Sequence, residues 1–193
     1  MATEVLFLDL IREPTAEELE TCFDDVIPLP RGFRNAVFGK SINNPQTVVG
    51  FLTWNKVESQ YNFRNSKLFP KFVTRLARFG ICPFHTFYVY FEQGLPHTVL
   101  RSPVILELIM VKQRQDILPN QVNHAFNEYA RIASEHGLRS YYYGHKYQDP
   151  TFFVMLLDWE SREGSAISSL ALDRLMKEIT MVDTKVVRHI VAP

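Results

Sequence analysis

Two carboxylates interrupt apolar, strand-like runs: Asp9 in Leu6-Phe7-Leu8-Asp9-Leu10-Ile11, and Glu107 in Val104-Ile105-Leu106-Glu107-Leu108-Ile109. A carboxyl group on the buried face of a strand loses hydration, its pKa rises, and it can then exchange a proton near neutral pH. Alternation puts Phe7, Asp9 and Ile11 on one face and Ile105, Glu107 and Ile109 on the matching one. A purely structural role fits the same residues equally well, with Arg34, Arg139 or Arg188 as the pairing cation. A second cluster, Tyr141, Tyr143 and His145, shares one face of a strand. An imidazole among phenols along an apolar cleft can hold a phenolic ligand and move protons, although packed tyrosines with outward hydroxyls follow the same pattern. Tyr88 and Tyr90, with His85 and His189 near strand ends, extend the set.

The elements that must position these residues come from a repeat. Phe33 to Glu58 lies over Leu138 to Glu163 without a gap at an offset of 105, with identities at Arg34/Arg139, Gly39/Gly144, Pro45/Pro150, Val49/Val154, Leu52/Leu157, Trp54/Trp159 and Glu58/Glu163. That many ungapped identities mark an internal duplication. The two apolar runs around Asp9 and Glu107 superpose at an offset of 98, which predicts a connection seven residues longer in the second copy. Each copy reads as strand, helix, hairpin, helix, strand. Thr15 with Glu18 forms a capping box for a first helix running to Val26, and Pro119-Asn120 start its counterpart. Turns are predicted at Asn43-Asn44-Pro45 and Gln148-Asp149-Pro150. The second helices begin near Lys56 and Ser161, and Pro70 divides the first of them. Closing strands are expected over His85 to Phe91 and Lys185 to Val191.

These boundaries give an α+β chain with a first unit at 1–92, a linker at 93–102 and a second unit at 103–193. So short a linker predicts halves that pack together as a pseudo-dimer. The 21 basic and 21 acidic residues cancel, so no net field attracts nucleic acid or an anionic membrane. No apolar run approaches bilayer-spanning length and no leader is visible, so a cytoplasmic location is expected. Cys22 and Cys82 are too few and too far apart for a metal set or redox pair. There is no GxGxxG, phosphate loop or GxSxG elbow, and His124 and His136 lack the spacing of a helical zinc pair. The expectation is therefore no metal and no cofactor.

Two tandem βαββαβ units, each with a hairpin reading GxxxxxPxxxxxxxxW, resemble the dimeric α/β-barrel superfamily, in particular its antibiotic-biosynthesis-monooxygenase-like branch. The resemblance implies two ferredoxin-like units with facing antiparallel sheets that enclose a cavity in one chain, as a monomer or a homodimer. It also implies cofactor-independent oxygenases, haem-degrading enzymes, cyclases and isomerases as relatives. The histidine that many members carry early in the second helix is replaced by Asn62 in the first copy and Ile167 in the second, and Asn62 can still hold a carbonyl or phenol by hydrogen bonds. The second copy carries polar residues where the first has Ala36, Phe38 and Lys40, which favours the second half as the working site. His145, Glu107 and Tyr143 are the candidate catalytic residues there, with Tyr141, Asp9, Tyr88, Asn62 and Trp159 as candidate substrate contacts. The leading expectation is a cofactor-independent enzyme cyclising or isomerising an apolar, oxygenated small molecule by acid-base catalysis. A cofactor-independent monooxygenase and a non-catalytic binding protein are the alternatives.

Overall fold

The computed structural model describes residues 1–12, 15, 17, 30–41, 44, 46–78, 80, 85–92, 105–179 and 187–192. The first half contributes β1 (Ala2–Asp9), β2 (Phe33–Ser41), β3 (Thr47–Trp54), α1 (Val57–Arg64), α2 (Phe69–Leu76) and β4 (His85–Phe91). The second contributes β5 (Ile105–Lys112), α3 (Pro119–Ser134), β6 (Leu138–Lys146), β7 (Asp149–Trp159), α4 (Arg162–Ile179) and β8 (Val187–Ala192). The expected first helix and linker, both cysteines and His97 lie outside the described residues, apart from Thr15 and Glu17.

The strands close into one antiparallel barrel in the order β1-β3-β2-β8-β5-β7-β6-β4. Each half supplies four neighbours, β4-β1-β3-β2 and β6-β7-β5-β8, and two seams join them within the chain. One seam pairs Lys40 and Ser41 with Ala192 and Val191. The other pairs Val89, Tyr90 and Phe91 with Lys146, His145 and Gly144. Gly144 is glycine for a steric reason: a Cβ there would stand 2.0 Å from the Tyr90 carbonyl oxygen, so any side chain would pry β6 off β4.

Alternation along each strand sorts side chains into an inside and two outsides. Val5, Val49, Phe51, Phe87, Leu108 and Leu156 meet between the two sheets. Leu6, Leu8, Trp54, Phe63, Phe72 and Leu76 fill the layer under α1 and α2, and Ile109, Phe126, Tyr129, Phe153, Leu157 and Trp159 the layer beneath α3. An apolar core thus lies between the facing sheets. An eight-stranded barrel is just narrow enough for side chains to fill it.

Several local expectations agree with the chain. Pro70 lies in the first turn of α2, after α1 has ended at Arg64, and Pro119 opens α3. Proline has no N–H to donate to a preceding turn, so it is accepted only at a helix start. The second hairpin differs from expectation: its turn is Tyr147-Gln148, with Gln148 at φ 67°, while Asp149 and Pro150 already belong to β7. Asp149 accepts from the Thr151 hydroxyl at 2.7 Å and from Lys112 Nζ at 3.1 Å, which holds it in strand geometry.

The register also corrects the alignment of the first strands. Ala2 pairs with Trp54 and Glu4 with Leu52, just as Ile105 pairs with Trp159 and Glu107 with Leu157. The counterpart of Glu107 is therefore Glu4, 103 residues before it, and not Asp9. Matching hydrophobic runs misses such a shift, because apolar residues on the two faces of a buried strand look alike.

Candidate functional site

Downstream of β3 the chain turns through Asn55 and Lys56 into α1, and the segment before β2, Pro30-Arg31-Gly32, folds back against that helix. The Asn55 amide donates to the Gly32 carbonyl at 2.7 Å. Gly32 has φ +88°, and a Cβ there would fall 2.3 Å from Ser59 Oγ, so only glycine permits this approach. Between the two segments lies a groove of about 700 Å³, lined by Pro30, Arg31, Asn55, Lys56, Ser59, Asn62, Phe63, Ser66 and Leu68 among others. Its floor, Pro30, Ser59 and Phe63, is buried, whereas Arg31, Asn55, Lys56 and Asn62 stand exposed around the mouth. The spacing Ser59, Asn62, Phe63, Ser66 places these side chains along one helical face and its continuation. The volume lies within the range of small-molecule sites, and an apolar floor under a few convergent polar groups is their usual composition.

On the other side of α1 a polar network is buried. Glu4 Oε2 accepts from Trp54 Nε1 at 3.2 Å, and Oε1 accepts from Gln60 Nε2 at 3.1 Å and Thr86 Oγ1 at 3.0 Å. The second half repeats the motif: Glu107 Oε2 accepts from Trp159 Nε1 and from Ser165 Oγ, each at 2.9 Å. Each glutamate thus ties the first strand of its half to the tryptophan of the third and to the following helix. Burial pushes the Glu4 carboxyl above the usual carboxylate range, against the opposing pull of its three donors and of Arg64. Such a group adds stability that is fully present below its unfolded pKa of about 4.5 and is lost as pH rises through the folded value. Replacing Glu4 by Gln is therefore expected to flatten the fall in unfolding free energy between about pH 4.5 and pH 7.5, read by urea titration at both pH values. An unchanged slope would show that Glu4 does not titrate there.

The residues singled out from sequence are dispersed over the fold. Asp9 is exposed at the end of β1, where it accepts from Thr47 Oγ1 at 3.2 Å. Glu107 is 1% exposed and faces the helix layer, while Phe7, the strand-mate of Asp9, packs between the sheets, so the two carboxylates do not share a face. Trp159 is fully buried as the indole donor to Glu107, which places it in the core and not against a ligand. Tyr88 meets Tyr61 edge-on at 6.0 Å, and burial followed by the charge of Glu4 raises its pKa.

Tyr141, Tyr143 and His145 do share the face beneath α3. Tyr141 donates to Asn127 Oδ1 at 2.7 Å and stacks on Tyr143 at 6.3 Å, and the His145 ring lies 4.4 Å from Phe153. Glu107 is not their carboxylate. Tyr141 and Glu107 both pair with Leu157, but His145 pairs with Phe153, which pairs with Val111. By sheet spacing, His145 stands roughly 10 Å across and roughly 13 Å along from Glu107. The carboxylate beside His145 is Glu92, with Oε1 3.4 Å from Nε2. Glu92 follows β4, and the β4–β6 seam brings it there, a pairing without a local sequence signal. Of all the candidates only Asn62 lines the groove. Arg31, Asn55, Lys56 and Ser59 were missed, because a glycine-permitted approach between segments far apart in the chain creates the site.

No protein-family model and no curated protein matches the chain. Solved structures do match it over nearly its whole length. A candidate monooxygenase from Lactobacillus acidophilus superposes with a TM-score of 0.61 at 12% identity, covering 99% of this chain and 92% of that one. The shared fold is an antiparallel α+β barrel of two four-stranded halves, closed in this chain within one polypeptide. An anthrone oxidase-like protein superposes on this barrel with a TM-score of 0.60 at 9% identity, over 100% and 91% of the two chains. A candidate chlorite dismutase does so with 0.64 at 12% identity, over 100% and 94%. At such identities the likeness establishes the fold, and one fold serves many chemistries. Among the described residues, no group of three or more His, Cys, Asp and Glu could hold a metal ion, and no helix is long and apolar enough to cross a membrane.

Proposed function

We propose that the barrel binds a flat, oxygenated small molecule in the groove beside α1 and lets its enolate or phenolate react directly with dioxygen. The observation that carries this reading is the lining of the groove: amides and cations around the mouth over an apolar floor, with no carboxylate or imidazole among its described residues. Such a lining stabilises an anion, whereas acid-base isomerisation or cyclisation requires a positioned proton carrier. Lys56, Asn55 and Asn62 favour ionisation of an acidic C–H or O–H by stabilising the oxyanion formed, and the proton passes to water at the open mouth of the groove. The electron-rich carbon then takes up O2, the peroxide anion regains one proton from water, and loss of water from the resulting hydroperoxide leaves a carbonyl. One oxygen atom enters the product and the other leaves as water, so a CH2 group becomes C=O without an external reductant. The names of two fold neighbours, a candidate monooxygenase and an anthrone oxidase-like protein, support this chemistry.

The test is oxygen uptake with anthrone and with related phenolic polycycles. Uptake of one O2 per carbonyl formed is the expected result. Turnover without uptake would instead favour cyclisation or isomerisation, and saturable binding without turnover a ligand-binding protein.

A further inference from the structure

We infer that the ligand of the groove carries a carboxylate, and that Arg31 is the residue selecting for it. The inference rests on the groove being a small-molecule site and names the substrate class that the charge around its mouth fits. Three cations gather there: Arg31 and Lys56 in the lining, and Arg34, whose Nε donates to Asn55 Oδ1. No described carboxylate pairs with any of them, in a chain whose 21 basic and 21 acidic residues otherwise balance. Glu58, the acidic residue in the first turn of α1, is not among the residues that line the groove. Ser59, 7% exposed, lines the same groove.

A single enolate or phenolate oxygen brings one negative charge, and Lys56 with the two amides suffices to meet it. The surplus positive charge calls for a second, permanent anion. Arg31 stands at the opposite wall from α1, and its planar fork of donors matches the two oxygens of a carboxylate, a geometry that a lysine ammonium cannot reproduce. The buried Pro30 and Phe63 and the half-buried Leu68 in the lining suit an aromatic body below the acid group, which favours an aromatic carboxylic acid over a compact, fully hydrated anion.

The probe pair is 2-naphthoate and its methyl ester, with binding to the purified full chain followed by calorimetry and by ligand fluorescence. The acid is expected to bind at least about 10-fold more tightly than the ester, the size of effect that charge-assisted hydrogen bonds give. Arg31→Ala should abolish this preference, and Arg31→Lys should restore only part of it. Arg31 is exposed, so both variants should keep the far-ultraviolet circular dichroism and melting temperature of the parent. Equal binding of acid and ester, or a preference that survives Arg31→Ala, overturns the inference. The outcomes separate it from the oxygenase reading. Arg31-dependent binding of the acid without oxygen uptake on any phenolic acid would retain the inference and reject the oxygenase. Oxygen uptake on neutral phenols with no gain from a carboxyl group would do the reverse.

Discussion

Asn62→Ala is expected to lower kcat/KM for the oxidised substrate by about 10²- to 10³-fold, the loss that follows removal of one oriented donor from a developing oxyanion. Asn62 is exposed at the mouth of the groove, one helical turn from the buried Ser59, so its amide can meet a substrate oxygen without supporting the core. The unfolding free energy should therefore change by no more than ordinary surface substitutions change it, about 0.5 kcal/mol. Asn62→Asp separates polarity from charge. A carboxylate at the same position would repel an enolate while keeping the size of the side chain, so its loss should equal or exceed that of alanine. The measurement is steady-state oxygen uptake across substrate concentrations. If kcat/KM is unchanged in Asn62→Ala, the oxyanion is not held at this mouth and the proposed site is wrong.

Trp159→Ala should be the most destabilising of the single substitutions considered, by about 3–5 kcal/mol, because a fully buried tryptophan leaves a large cavity. Its indole N–H also serves Glu107, and two further variants isolate that role. Trp159→Phe keeps most of the packing but removes a donor from a carboxyl group that is 1% exposed, which should cost about 1–3 kcal/mol. Glu107→Leu alone leaves the indole N–H buried without its acceptor. Combining Glu107→Leu with Trp159→Phe removes both ends of the bond, so the double variant should be less destabilised than the sum of the two singles. Urea unfolding of all four proteins measures the coupling, and strict additivity would show that the contact contributes nothing. In a chain of this size each kcal/mol lost should lower the melting temperature by roughly 2–4 °C.

The tryptophans show what could be read without coordinates. Trp54 and Trp159 were legible as equivalent residues because the hairpins repeat without a gap, and a two-residue strand period leaves no freedom in how such segments overlie. The carboxylates that bind them were half legible. Glu107 was recognised as buried in an apolar strand, but its partner was assigned to Asp9, because a run such as Leu6-Phe7-Leu8 has the same hydropathy on either face and fixes no register. Only the pairing of Ala2 with Trp54 and of Ile105 with Trp159 identified Glu4.

The same division runs through the candidate site. By itself the sequence determined the order of the described strands and helices, the break at Pro70, the helix start at Pro119 and the duplication, all of which depend on residues close together in the chain. It therefore determined a barrel built from two like halves. Tertiary structure decided the rest. It packed an apolar core between the sheets, drew Glu92 across a seam to His145, and kept His145 two strands away from Glu107. It also brought Arg31 and Gly32 against α1, more than twenty residues further along, to form the groove that holds Asn62. These outcomes depend on contacts between segments distant in sequence, and local propensity and spacing carry no information about which distant surfaces will meet.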